Sequence, residues 1–325
     1  MNNVNHLKFS TGLWVYGPVP DRYLPSGYQN VTNLEQRLAQ VAATPGMTGV
    51  ELPYGPVVTH DNPEQIRKAV TNAGLSLSSL GINVTSDQRW ALGSLSNPDP
   101  VIRREIIEFI KESMDVAQAL GVDLVNLWMG QDGFDYPFEV DYQTLWKHIR
   151  DGLAECAAHQ PQVKLSLEYK PKEPRARNIP NSAAQSLLLV NESGLDNLGV
   201  TIDFGHSLES GENPSQALLL LNNYQKFFHV HLNDNYSDWD WDLAAGMNHW
   251  WLLVEFCYWL IELDFKGWLV LDLFPYRQPA VEIGEISIKA IQKAWSIAQQ
   301  LDRQSVLEGY KHHSAVGVFK QLYSR

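Results

Sequence analysis

A single (β/α)8 barrel with a C-terminal extension is the fold this chain predicts, and three observations predict it. Eight strand-like segments alternate with eight helical patterns, the 325 residues fit one large α/β domain, and chemically versatile side chains collect at the ends of the later strands. Alternation of strand and helix demands a parallel sheet, because each helix is the crossover that returns the chain to the same strand direction. A closed barrel of eight units takes about 250 residues and tolerates insertions. Residues 1–303 therefore read as the barrel domain and 304–325 as a tail outside it.

The elements follow in order. Leu7 to Trp14 is predicted as strand one and Asn33 to Ala43 as its helix. Gly49 to Pro53 is strand two, and Pro63 to Ala73 its helix, with Asp61 and Asn62 supplying an N-cap. Leu75 to Val84 is strand three. Pro98 to Leu120 is the longest helical pattern, with Ile102, Ile106, Phe109, Ile110, Ser113, Ala117 and Leu120 on one face at steps of three and four, ended by Gly121. Val122 to Trp128 and Tyr142 to His159 make the fourth unit. Strand five opens at Leu165, with a helix from Ser182 to Val190. Leu198 to Asp203 with Pro214 to Leu221, Phe227 to Asn233 with His249 to Leu263, and Gly267 to Phe274 with Ile283 to Leu301 complete the series. The tail carries Tyr310, Val316, Val318, Phe319, Leu322 and Tyr323, too few apolar residues for a core of its own and enough to predict packing on a neighbouring subunit.

Composition narrows the function. The formal net charge is −12, which disfavours nucleic acid as a partner and suits a site that gathers carboxylates around cations. Cys156 and Cys257 have no scaffold or metal spacing and read as inert core residues of a protein in a reducing cytoplasm. Met1 to Ser10 lacks the basic and apolar pattern of a secretory signal. The longest apolar run, Trp250 to Ile261, is interrupted by Glu255 and too short to span a bilayer, so no membrane association is expected.

Strand five carries the first chemical signal. Leu165-Ser166-Leu167-Glu168-Tyr169-Lys170 alternates with the period of a strand and stops at Pro171, which has no amide to donate. Glu168 and Lys170 project to the same side, so a carboxylate and an ammonium emerge together at a strand's C-terminal end, where barrel active sites lie. Asp203, His231 and Asp272 close strands six, seven and eight in the same way. Four such groups converging without a cation would suffer repulsion and desolvation. Three carboxylates with one imidazole suit Mn²⁺, Mg²⁺ or Co²⁺. A second ion has candidate ligands in His206 and in Asp240 and Asp242, which lie in a loop after strand seven between Asp238 and Leu243. One or two ions per subunit are therefore expected. Trp14 and Trp128 read as apolar walls of the barrel mouth, and His229 as a hydrogen-bonded core residue one layer below His231.

These residues lie within recognisable motifs: Phe9-Ser10-Thr11-Gly12-Leu13-Trp14, Leu127-Trp128-Met129-Gly130-Gln131-Asp132-Gly133, Glu168 through Arg175, Gly205-His206 with Gly211-Glu212-Asn213, and Asp240-Trp241-Asp242-Leu243. Over nearly its whole length the chain resembles the xylose-isomerase-like sugar isomerases. The resemblance implies that Glu168 binds a metal, that Lys170 contacts the sugar oxygen at C1, and that Asp240 and Asp242 hold a mobile catalytic metal. Xylose enzymes of that family carry Glu at the position of Asp203 and Asp at that of His231. The Glu/Asp/His/Asp set is closer to that of L-rhamnose isomerases. A ring-opening His is expected after strand two, where this chain reads Glu51-Leu52-Pro53-Tyr54, with His60 nearby but out of register. Xylose is thus not the expected substrate.

The expected activity is interconversion of a free aldose and its ketose by a 1,2-hydride shift, with Lys170 stabilising charge on O1 and the ion at His206, Asp240 and Asp242 generating the base. The lack of a Gly-rich phosphate loop or an Arg cluster points to an unphosphorylated sugar. The runner-up is a ketose 3-epimerase, which needs neither Lys170 nor the Asp240/Asp242 pair. A metal-dependent endonuclease is disfavoured by the acidic composition, and a non-catalytic sugar-binding barrel is kept open by the missing His. A homo-oligomer, dimer or tetramer, is expected.

Overall fold

The computed structural model describes residue 4 and residues 6–323. Eight parallel strands form the sheet: β1 Lys8–Thr11, β2 Gly49–Pro53, β3 Ser76–Asn83, β4 Leu124–Trp128, β5 Lys164–Glu168, β6 Leu198–Asp203, β7 Phe227–Leu232 and β8 Trp268–Leu271. Their spatial order is β1-β8-β7-β6-β5-β4-β3-β2. A parallel bridge between Gly12 and Glu51 joins β1 to β2 and closes the ring. Helices α1 Leu34–Ala43, α2 Pro63–Asn72, α3 Pro100–Leu120, α4 Tyr142–His159, α5 Ala183–Glu192, α6 Pro214–Asn223, α7 Trp250–Glu262 and α8 Ala280–Gln299 follow the strands. The predicted barrel is therefore the observed one.

Local chemistry sets the helix ends. Asn33 and Gln36 form a reciprocal capping box at α1. Asp99 caps α3, which opens on Pro100 and stops where Gly121 takes a left-handed conformation. One row of strand residues, among them Leu52, Leu80, Val125, Leu165, Val200 and Val230, is fully buried in the main hydrophobic core. The barrel interior is more polar. Ser10 meets Ser78 at 2.6 Å, and a chain of hydrogen bonds runs from Ser166 through Thr201 and Asn126 to the carboxylate of Glu168.

Several boundaries differ from the predicted ones, each for a local reason. Strand one ends at Thr11, and Leu13–Tyr16 winds into a 3₁₀ turn that carries Trp14. Strand eight ends at Leu271, so Asp272 is the first residue beyond it. A short helix, Phe204–Glu209, starts directly on Asp203. Gly133–Phe134 pairs antiparallel with Arg177–Asn178 in the loops after β4 and β5.

The tail forms α9 Arg303–His312 and α10 Val316–Tyr323. It packs against α7 of its own chain: Tyr310 stacks on Trp259 with centroids 6.0 Å apart, Tyr323 meets Trp251 edge-on at 5.5 Å, and Arg303 pairs with Glu262 at 2.8 Å. Val316, Phe319 and Tyr323 remain exposed. Cys156 and Cys257 are buried and unpaired, and burial raises both thiols. Among the described residues no helix is long and apolar enough to cross a membrane.

Candidate metal centre

Strand register brings the site together. Trp128 lies beside Glu168 across β4 and β5, and Asp203 beside His231 across β6 and β7. Nδ1 of His231 faces Asp272 Oδ2 at 3.4 Å, Glu168 Oε1 at 3.5 Å and Asp203 Oδ2 at 4.0 Å. Ligand atoms of Glu168, Asp203, His231 and Asp272 all lie within 4.8 Å of one another, and the first three residues are buried. Nδ1 of His231 has no hydrogen-bond partner, an exceptional condition for a buried polar atom. Hard oxygen donors, one imidazole and an orphaned nitrogen aimed among them fit a divalent cation of the Mn²⁺, Mg²⁺ or Co²⁺ type.

The surrounding groups fix these donors. Asn126 Nδ2 donates to Glu168 at 2.6 Å, and Trp14 Nε1 donates to Asp272 at 2.6 Å. Asp203 accepts the amide of His206 at 2.8 Å and the side-chain amide of Asn233 at 2.9 Å. Gly205 permits this approach, since a Cβ there would lie 2.4 Å from Asn233 Oδ1. Burial and the neighbouring carboxylates Asp240, Glu168 and Asp272 outweigh the attraction of His206 and raise Asp203 to about 7. For Glu168, burial is overcome by His231 and His206, which hold it below the ordinary carboxylate range.

The second predicted group is differently built. Asp240 Oδ2 lies 2.7 Å from Lys170 Nζ and 3.0 Å from His206 Nε2. Both cations overcome burial and keep Asp240 low, while burial and then Asp240 and Asp272 raise Asp242. Asp242 accepts from Asn233 Nδ2 at 2.9 Å. His206 is raised to about 10, burial being outweighed by Asp203 and Asp240. Lys170, at the predicted strand end, contacts Glu173 at 2.5 Å and lies 5.0 Å over the Trp128 ring. His206, Asp240 and Asp242 thus share one corner of the mouth but do not form a convergent donor group among the described residues.

Two features escaped the sequence reading. Glu51 is wholly buried and touches both His229 and His231; the only local signal was a carboxylate in mid-strand between Val50 and Leu52. Glu209, buried in the short helix after β6, pairs with Lys172 at 3.4 Å. His60 pairs with Asp61 and with Glu112 of α3, and its side chain is 61% exposed, so it does not stand in for the expected ring-opening His.

The family model described as a xylose isomerase-like TIM barrel matches residues 38–295. The chain belongs to that family. Xylose isomerase of Thermus thermophilus is 26% identical over 258 residues, covering 74% of this chain and 65% of that protein. A protein of Mesorhizobium japonicum named as a probable sugar isomerase is 26% identical over 264 residues, covering 77% and 60%. The matched part of the chain thus spans under two thirds of these relatives' lengths. A solved structure of L-ribulose 3-epimerase superposes with a TM-score of 0.70 at 17% identity, covering 90% of this chain and 96% of the other. A D-tagatose 3-epimerase-like protein gives 0.68 at 17% identity, covering 90% and 99%. At this identity both attest the shared fold.

Proposed function

We propose that this member of the xylose isomerase-like family interconverts a free aldose and its ketose by a 1,2-hydride shift, using a divalent cation, Mn²⁺ before Mg²⁺ or Co²⁺. The observation that carries the reading is the convergence of Glu168, Asp203, Asp272 and the unpartnered Nδ1 of His231. These four residues would hold the cation. When bound it supplies Lewis-acid polarisation of adjacent sugar oxygens.

The chain's own side chains do the rest. Lys170 is a buried ammonium whose charge is secured, against burial, by Asp240 and Glu173, and it offsets negative charge growing on O1. Asp240, kept ionised by Lys170 and His206, is a fixed acceptor for a proton leaving a substrate hydroxyl, directly or through water. Trp14 and Trp128 flank the opening and exclude water from one side of the sugar. The sequence has no Gly-rich phosphate loop and no Arg cluster, which favours an unphosphorylated sugar.

A 3-epimerase is the second reading. It is favoured by the position of Glu168 and Asp272, two carboxylates that meet the same imidazole nitrogen at 3.5 and 3.4 Å. Turnover of free sugars with Mn²⁺ in heavy water distinguishes the two. Interconversion of an unlabelled aldose and ketose with no solvent deuterium taken up supports the isomerase, whereas deuterium entering at C3 of a ketose supports the epimerase. The exposed Val316, Phe319 and Tyr323 of α10 make this face the proposed contact with a second copy, checked by the solution mass with and without residues 314–325.

A further inference from the structure

Glu51 is fully buried in the middle of β2, and nothing in the chemistry above uses it. The register between β2 and β3 slips between Val50 and Glu51, a local irregularity of the kind that re-aims a side chain near a site. The carboxylate lies inside the barrel, beneath the donor group. Its Oε2 accepts from Ser79 Oγ at 2.5 Å and lies 3.0 Å from His229 Nε2 and 3.4 Å from His231 Nε2. Gly81 gives it room, since a Cβ there would lie 2.7 Å from Oε1.

His231 therefore has two different faces. Nε2 meets Glu51, and Nδ1 meets Glu168, Asp203 and Asp272. A neutral imidazole carries one proton, and the nitrogen that keeps it is chosen by the hydrogen bond available there. A carboxylate at Nε2 holds the proton on that side and leaves the Nδ1 lone pair free.

We propose that Glu51 is a positioning residue which fixes His231 as the Nε2–H tautomer and aims Nδ1 at the cation. This rests on the cation reading of the four-residue group. Partners of this kind restrict ring rotation and strengthen the ligating nitrogen. The rival arrangement makes Glu51, His229 and His231 a donor group in their own right, since their ligand atoms also lie within 4.8 Å of one another. Oε2, however, is engaged by Ser79, His229 and His231 and only Oε1 is without a partner, so this group offers an ion a single carboxylate where the strand-end group offers three. His229 and Ser79 then act as the brace that keeps Glu51 in place.

The test uses the full chain, stripped of metal and titrated with Mn²⁺, together with long-range ¹H–¹⁵N spectra of the histidine rings. Glu51→Gln is expected to weaken Mn²⁺ binding about 10- to 100-fold at unchanged stoichiometry. At a pH that leaves the His231 ring neutral, its signals in the metal-free protein are expected to shift from a single Nε2–H tautomer in the wild type to a mixture in the variant. Binding within twofold of wild type together with an unchanged tautomer would overturn the proposal. So would the loss of one bound ion per chain with the remaining affinity intact, because Glu51 would then be a ligand itself. If the wild type binds no Mn²⁺, the cation reading fails, and the ring spectra still decide whether Glu51 sets the tautomer. Should Glu51→Gln not fold, Ser79→Ala loosens the carboxylate without removing it. About threefold weaker binding is expected there, and an unchanged Kd with an unchanged tautomer would overturn the role.

Discussion

Two acidic groups share the mouth of this barrel, and they differ in what balances their charge. Glu168, Asp203 and Asp272 stand at the ends of barrel strands around a nitrogen with no partner. Asp240 stands on a loop and already has an ammonium and an imidazole within 3.0 Å. Among the described residues no lysine or arginine pairs with the first group, and hydrogen bonds from Asn126, Trp14 and Asn233 hold its carboxylates in place. The second contains its own cation, so any ion entering there must compete with Lys170. Under the proposed function, the same residue type at the same mouth would serve a fixed centre in one case and an exchangeable one in the other.

Asp203 belongs to both groups through Glu168, His231 and His206, and its removal is the largest perturbation available. Asp203→Ala should abolish tight Mn²⁺ binding and lower turnover about 10³-fold, the effect of losing roughly 4 kcal/mol of charge stabilisation. Calorimetry and sugar turnover read both, and near-normal binding would break the assignment of the first group. Lys170→Met comes next, with kcat down about 10² to 10³-fold. Mn²⁺ affinity at the strand-end group should stay unchanged while a second ion binds more tightly. A variant whose second ion binds no better would show that Lys170 does not hold that place.

Asp240→Asn should cost an isomerase about 10²-fold in kcat and change a 3-epimerase less than twofold, so it sharpens the comparison and decides the reaction together. The pH dependence is smaller. Asp203 is raised from 3.8 to about 7, so the metal-free fold holds this proton more tightly than the unfolded chain. That contribution to stability is complete below pH 3.8 and is lost as pH rises through about 7. Mn²⁺ requires the ionised form, so its affinity should rise with pH through about 7, with proton release measurable by calorimetry in two buffers. Trp14→Phe, which deletes the 2.6 Å bond to Asp272, should weaken Mn²⁺ only about three- to tenfold.

The strand-end donors were legible because strand period, helical period and the Pro171 break are local patterns, and a barrel fixes which end matters. The turn that carries Trp14 was not, since Leu13 and Trp14 are apolar and read as the end of a strand from Leu7 to Trp14, whereas Leu13–Tyr16 is a 3₁₀ turn. The helix at Phe204 was hidden by Phe204-Gly205, which reads as a turn until Asp203 is seen to cap it. Glu51 was invisible as a functional residue because its partners lie 28, 178 and 180 positions away. Lys170 was read as closing strand five but lies two residues past its end at Glu168, and its partner Asp240 lies on a distant loop, which no spacing announces.

Trp14, borne on the turn after β1, reaches Asp272, the residue after β8, across the seam where Ser10 pairs with Val270. The first stave to leave the ribosome thus steadies a ligand that is among the last to be synthesised. A chain that stops short of Asp272 carries all eight staves but only three of the four donors, and it leaves Trp14 Nε1 without its acceptor.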